Sequence, residues 1–176
     1  MNITDTLNWV RGEQIEGIVV ACTALIILLA GILLPRLVAT PAAKALMIPL
    51  IVVGVFYAAV GVSIHYSATK EKKVLTEQYE STDQQTFVQS ELDRVKTFQS
   101  SYNTSRIITS VLFVVGLLLF WFSNYGTLNA YWLSHNTTLQ AVGIACALFA
   151  LVGILVDYFS MHRARLYYDI LTAALQ

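Results

Sequence analysis

The chain has 176 residues, of which 56% are hydrophobic and 12% are charged, with eleven basic and eleven acidic side chains. An average soluble domain carries about 25% charged residues, and the mean hydropathy of +0.62 is that of an apolar chain. This composition excludes a disordered tail and argues against a soluble enzyme. With only two cysteines, it also excludes a disulfide-stabilised secreted scaffold.

Long uncharged segments separate the charged residues. Residues 17–35, 45–69 and 107–156 contain no Asp, Glu, Lys or Arg, and a helix needs about 20 mostly apolar residues to cross a bilayer. The third segment is long enough for two spans, which its polar middle, residues 124–138, would connect. The predicted transmembrane helices cover residues 17–35, 42–66, 106–123 and 138–161. We therefore expect an all-α, polytopic membrane protein built as a four-transmembrane-helix bundle.

Proline and threonine mark the connection between the first two spans. Pro35 is expected to end the first helix, because proline lacks the backbone N–H that continues a helix. Thr40 followed by Pro41 is typical of a helix N-cap with proline in the first turn.

The basic residues predict the orientation in the membrane. Nine of the eleven would lie on the side of both termini and of the long connection between spans two and three, whereas only Arg36 and Lys44 would lie on the other side. The positive-inside rule then places both termini and this connection in the cytoplasm. We expect a multi-pass protein of the cell (inner) membrane. The first apolar segment is interpreted as a retained anchor, because it is longer than the core of a signal peptide.

The cytoplasmic connection, residues 67–105, is predicted to be a helical hairpin. No Gly or Pro occurs between Gly61 and Gly116, and the spacing from Thr82 to Gln85 matches a capping box that would open the second arm after a turn at residues 80–82. The hairpin either braces the bundle or docks a partner of a membrane complex. Its six basic and six acidic residues, counting Arg106, cancel, so nucleic acid is not expected as a partner.

Helix four is predicted to continue beyond the membrane. Leu166, Ile170, Leu171 and Ala174 occur at helical spacing within residues 162–176. We expect this segment to form a cytoplasmic extension that packs on the hairpin.

Small residues at helical spacing indicate which faces meet other helices, since they allow close backbone approach in lipid. One stripe lies on span two and another on span four. Their members are Gly54, Ala58 and Gly61, and Gly143, Ala147, Ala150 and Gly153. The first stripe continues to His65 and the second to Asp157, so both ionisable side chains are expected to face inward, where they would pair. The remaining lipid-facing surface favours association with a second copy of the chain.

Ionisable residues converge on the cytoplasmic membrane edge, where they are costly and often functional. The candidate cluster comprises Glu16, His65, Asp157 and His162. Three interpretations stay open: a structural His65–Asp157 pair, an ion- or proton-handling site, and a metal site that adds His162 or Glu13. The spacing matches no metal signature, and the sequence contains no cofactor motif.

These observations favour a non-enzymatic membrane protein that handles an ion or protons or serves as an accessory subunit. The alternative is a membrane-embedded metal-binding protein or metalloenzyme that uses the same cluster. The chain shows no Cys-x-x-Cys pair, no mid-membrane glutamate and no arginine-rich span. The chain therefore carries none of the signatures of three four-helix classes: quinone-linked thiol oxidoreductases, small multidrug transporters and voltage sensors.

Overall fold

The computed structural model describes residues 3–125 and 136–176, and in these ranges every secondary-structure element is an α-helix. The helices are α1 (Ile3–Leu37), α2 (Pro41–Ser81), α3 (Gln84–Tyr125) and α4 (Thr137–Ala173). Each is long and apolar enough to cross a membrane. The prediction of an all-helical chain with four candidate spans is thus confirmed. The predicted connection at residues 124–138 lies mostly outside the described residues.

Capping explains where α2 begins, and α1 ends slightly later than predicted. Thr40 has an extended backbone (φ −92°, ψ 152°), and its hydroxyl accepts a hydrogen bond from the Ala43 N–H at 3.3 Å, which confirms the predicted N-cap. Pro35 does not end α1, which continues to Leu37. A proline in the last turn removes only one hydrogen bond, and the Val38 N–H still donates to the Leu34 carbonyl at 2.9 Å.

The turn between α2 and α3 uses a different cap from the one predicted. The Asp83 carboxylate, and not the Thr82 hydroxyl, accepts the hydrogen bond from the Thr86 N–H, at 3.0 Å. Thr82 instead ends α2, because its N–H donates to the Gln78 carbonyl. An ionised carboxylate is the stronger acceptor and is also favoured by the positive end of the helix dipole. The turn therefore lies at residues 82–83.

The helices pair as α1 with α2 and α3 with α4, and α4 also packs on α2 and α1. At 1.5 Å per residue each helix is about 50 to 60 Å long, roughly twice the hydrocarbon thickness of a bilayer. We call residues 3–16, 67–105 and 162–173 the charged half, and the rest of the four helices the apolar half.

All four helices meet in the core of the charged half. Trp9 and Val10 of α1, Leu75 of α2, several α3 residues and Leu171 of α4 form one buried cluster. The α3 members are Phe87, Val88, Leu92 and Val95. The apolar positions of the 67–105 hairpin therefore pack on the two terminal segments of the same chain.

The apolar half has a smaller core and an apolar exterior. Its buried cluster draws on α1, α2 and α4 but not on α3. Large side chains lie outside, with Ile26, Ile48 and Ile107 about two-thirds exposed. Contact of such a surface with lipid costs little free energy, whereas its contact with water would be unfavourable.

Glycines set the two closest helix crossings. A Cβ atom built on Gly61 would lie 2.6 Å from the Ala21 nitrogen and 2.7 Å from the Gly17 carbonyl oxygen. A Cβ atom on Gly143 would lie 2.8 Å from the Gly116 carbonyl oxygen. The stripe on α2 thus faces α1, and Gly143 on α4 faces α3. Of the other stripe residues, Gly54 and Ala150 are buried, and Ala58, Ala147 and Gly153 are half-buried.

Candidate functional site

A cleft of about 740 Å³ opens between α2 and α3. The two helices are joined by a two-residue turn, yet they contact each other less than any other touching pair. In the apolar half α3 packs on α4 alone, because Gly116 and Gly143 hold those two backbones together. Residues of α1 and α4 form the floor of the cleft.

One end of the cleft is apolar and aromatic. Phe56 and Tyr57 of α2 and Phe149 of α4 line this end, and the rings of Tyr57 and Phe149 lie 5.0 Å apart. The Tyr57 hydroxyl donates a hydrogen bond to the Phe149 carbonyl. This hydrogen bond satisfies the Tyr57 hydroxyl, and the aromatic rings form the wall of the cleft at this end.

The other end is acidic and rich in hydroxyl groups. Within residues 3–125 and 136–176, the charged side chains that line this end are carboxylates, with no Lys, Arg or His among them. The acids are Glu13, Glu16, Glu71 and Asp157. Ser67, Ser101 and Ser105 add hydroxyls. The cleft is thus aromatic at one end, whereas the other end combines carboxylates and hydroxyls with the rings of Phe98 and Tyr102.

Glu16 joins α1 to α4 at the acidic end. Its carboxylate accepts hydrogen bonds from the Ser160 hydroxyl and the Arg163 guanidinium. Burial raises the pKa of Glu16, and these two partners oppose that rise. This predicted site residue is therefore held in a charge-paired, structural contact.

The predicted pair between His65 and Asp157 is not formed. Asp157 is buried and accepts a hydrogen bond from Ser105 at 2.8 Å. His65 is exposed, and its Nδ1 lies 3.3 Å from the Gln14 carbonyl oxygen. Because Gly17 sits directly against the His65 backbone, no room remains for the imidazole between the helices. It lies along the outer side of α1.

His162 is exposed and does not line the cleft. It lines a second groove with Arg106, Arg165 and Asp157, and Asp157 is shared with the cleft. Within residues 3–125 and 136–176, no three His, Cys, Asp or Glu side chains are close enough to hold a metal ion. Of the four predicted site residues, Glu16 and Asp157 thus line the cleft, Asp157 also shares the groove with His162, and His65 lies at the surface.

A polar network links all four helices in the charged half. The Arg94 guanidinium of α3 binds the Glu71 carboxylate of α2 and, at 2.7 Å, the Glu91 carboxylate. Glu91 also accepts a hydrogen bond from the Tyr167 hydroxyl of α4 at 2.9 Å. That hydroxyl lies 2.8 Å from the Thr6 hydroxyl of α1. Buried polar groups joined in this way fix how the helices assemble.

The Glu13 carboxylate lies near the guanidinium groups of Arg94 and Arg163 but has no partner of its own. Its side chain is only 8% exposed and faces the cleft, and it makes no hydrogen bond or ion pair within the described residues. Burial, reinforced by Glu71 and Glu16, raises the pKa of Glu13 to about 7, against the opposing effect of Arg94 and Arg163.

Sequence reasoning treated Glu13 only as an additional metal ligand, although α1 carries a signal for its burial. The buried residues of α1 recur at alternating steps of three and four, which is the spacing of a packed helix face. Among them are Thr6, Val10, Glu13, Gly17 and Val20. Glu13 occupies a core position of this series, whereas Glu16 lies at its edge.

Comparison with known proteins adds no family to this description. Neither the known protein families, nor the curated proteins, nor the solved structures contain a match to the chain.

Proposed function

We propose that this chain is a non-enzymatic, multi-pass protein of the cell membrane that binds and releases protons at Glu13, with both termini and the α2–α3 turn in the cytoplasm. The observation that supports this proposal is a buried carboxyl group that lines a large cleft and lacks a partner. A buried carboxyl group with a perturbed pKa that lies in a cleft is a candidate for a functional proton-binding group.

The local charge balance explains why a proton binds there. Four carboxylates and two guanidinium groups meet in this region: Glu13, Glu16, Glu71 and Glu91, and Arg94 and Arg163. With every group ionised, the net charge would be −2 in a poorly solvated interior. Arg94 and Arg163 are bound to the other three acids. Glu13 is therefore the acid whose protonation removes the most unfavourable charge.

Asp157 provides a second buried carboxyl group further along the cleft. It lies on α4 beside Ser105, and the hydroxyl groups of Ser101 and Ser105 line the cleft wall near it. Carboxyl and hydroxyl groups are the side chains that relay protons in membrane proteins. The cleft can accordingly accept protons at two depths.

Infrared difference spectroscopy tests the protonation of Glu13. Between pH 5 and pH 9, purified protein in lipid nanodiscs should lose the carbonyl band of a protonated carboxylic acid with a midpoint near pH 7. E13Q should lack this component. E77Q, which removes an exposed acid of α2, should retain it. A wild-type midpoint near pH 4.5, or an unchanged spectrum in E13Q, would overturn the proposal.

The orientation has its own test. After replacement of Cys22 and Cys146 by alanine, cysteine introduced at Leu37, which is 79% exposed, should react with an impermeant maleimide added outside intact cells. Cysteine introduced at Ser81, at the α2–α3 turn, should react only after lysis. The reverse pattern would place Glu13 on the opposite side of the membrane.

A further inference from the structure

The chemistry of the cleft is asymmetric in a way that proton binding alone does not require. Along α2 the cleft extends from Phe56 to Glu71, which is roughly 20 Å at 1.5 Å per residue. Its volume of about 740 Å³ is that of a pocket for a small organic molecule, for which roughly 300 to 1,000 Å³ is usual.

The two ends would recognise different parts of such a molecule. At one end Phe56, Tyr57 and Phe149 present aromatic surface within the apolar half. At the other end Glu13 and Glu71 line the cleft within the charged half. Arg94 pairs with Glu71 and Arg163 pairs with Glu16, so Glu13 is the carboxylate at this end that makes neither an ion pair nor a hydrogen bond within the described residues. A cationic group is the partner that would neutralise its charge.

We propose that the cleft between α2 and α3 binds an amphipathic organic cation, whose charged group pairs with Glu13 and whose apolar body lies against Phe56, Tyr57 and Phe149. This inference rests on the proposed function, because the cation and the proton occupy the same carboxylate. An aromatic wall suits such a ligand, since ring faces attract organic cations.

Binding should depend on pH because the cation and the proton compete. Glu13 is surrounded by Glu16 on α1, Glu71 on α2, Arg94 on α3 and Arg163 on α4. The Tyr102 hydroxyl of α3 and Asp157 of α4 line the same cleft. With one competing proton and a pKa near 7, the affinity should fall about 30-fold between pH 8 and pH 5.5.

Equilibrium dialysis with two probes of the same shape tests the proposal. Radiolabelled tetraphenylphosphonium and tetraphenylborate differ in the sign of their charge, and each is measured against protein in phosphatidylcholine nanodiscs and against empty nanodiscs. We expect saturable binding of one tetraphenylphosphonium per chain at pH 8 and no saturable binding of tetraphenylborate. Equal binding of the two probes, or no binding above that of empty nanodiscs, would overturn the proposal.

Two variants assign the binding to the cleft. E13Q should weaken tetraphenylphosphonium binding at least tenfold at pH 8 and abolish its pH dependence. E77Q should bind as the wild type does. Unchanged binding in E13Q would refute the site.

A measurement on the wild-type protein does not depend on whether E13Q folds. Titration calorimetry at pH 7 in buffers of different ionisation enthalpy should detect about half a proton released per cation bound. Binding without proton release, together with weakened binding in E13Q, would support the cation site and contradict proton binding at Glu13. An infrared midpoint near pH 7 without cation binding would support proton binding at Glu13 and contradict the cation site.

Discussion

The two halves of the molecule are built from the same four helices but packed by opposite rules. In the charged half, large side chains such as Trp9 and Phe87 are buried, and polar contacts from Thr6 to Glu71 link all four helices. In the apolar half, large side chains such as Ile26 lie outside, and glycines bring the backbones together.

This difference follows from what surrounds each half. Water favours burial of apolar surface, so a large interior core stabilises the charged half. Lipid is as apolar as leucine and gives no such benefit, so close packing and hydrogen bonds must hold the helices together there. Helix α3 obeys both rules: it packs in the four-helix core of the charged half and contacts only α4 in the apolar half. The cleft lies where the first arrangement gives way to the second.

Removal of the Arg94 guanidinium should be the most destabilising change in the charged half. The variant R94A leaves the buried Glu91 carboxylate and the half-buried Glu71 carboxylate without their cation, which should cost about 3 kcal/mol of unfolding free energy, the lower end of the range for a buried pair. Unfolding in mixed detergent micelles, followed by circular dichroism, measures the loss. K96A is the matched control, because the Lys96–Asp93 pair is long (3.7 Å) and more than half exposed on both sides. It should cost less than about 1 kcal/mol. Equal losses in the two variants would show that the network does not stabilise the fold.

Glu13 makes the stability of the charged half depend on pH. Its folded pKa of about 7 lies above the ordinary value of 4.5, so its contribution is complete below pH 4.5 and is lost as the pH rises through 7. The change corresponds to about 3 kcal/mol. E13Q should remove this part of the pH dependence and become more stable than the wild type at pH 9. Parallel stability curves for the two proteins between pH 5 and pH 9 would contradict the assignment.

A larger side chain at the crossing of α1 and α2 should destabilise the apolar half. G61V places a side chain against the backbone of Gly17 and Ala21, which should cost about 2 kcal/mol by forcing the helices apart. A59V introduces the same β-branched side chain at an exposed neighbouring position of α2 and should change the thermal midpoint in detergent little. If A59V were as destabilising as G61V, helix propensity and not packing would be the cause.

The smallest expected effect concerns the turn of the charged half. D83A removes the carboxylate that caps α3. T82A removes the threonine hydroxyl that the sequence spacing predicted as the cap. D83A should lower the thermal midpoint slightly and T82A should not. Hydrogen bonds from Thr86 lower the pKa of Asp83, so its contribution is present above the ordinary pKa and is lost as the pH falls through the lowered value, the opposite of Glu13. A larger effect of T82A would restore the sequence prediction.

Sequence reasoning succeeded where the determining property is local. The number and position of the candidate spans depend on hydropathy, and the Thr40 cap depends on adjacent residues. It failed for His65, because a helical stripe identifies a face but not the helix that covers it. The stripe through Gly61 faces α1 so closely that the imidazole is excluded. It undervalued Glu13 for a related reason, since an acid near a terminus is ordinarily solvated and only the contacts of α2, α3 and α4 bury it.

Because each helix extends through both halves, a tilt of a helix in one half also displaces its other end. Helix α2 runs from Pro41 to Ser81 and contains no proline after Pro49, so the part around Gly61 and the charged part are expected to tilt together. Taking the close approach of Gly61 to Gly17 as the pivot, the arm from residue 61 to the turn is about 30 Å long. A tilt of about 10° at the pivot would displace the turn by about 5 Å. A change in the width of the cleft would thus be carried, enlarged, to the far tip of the hairpin.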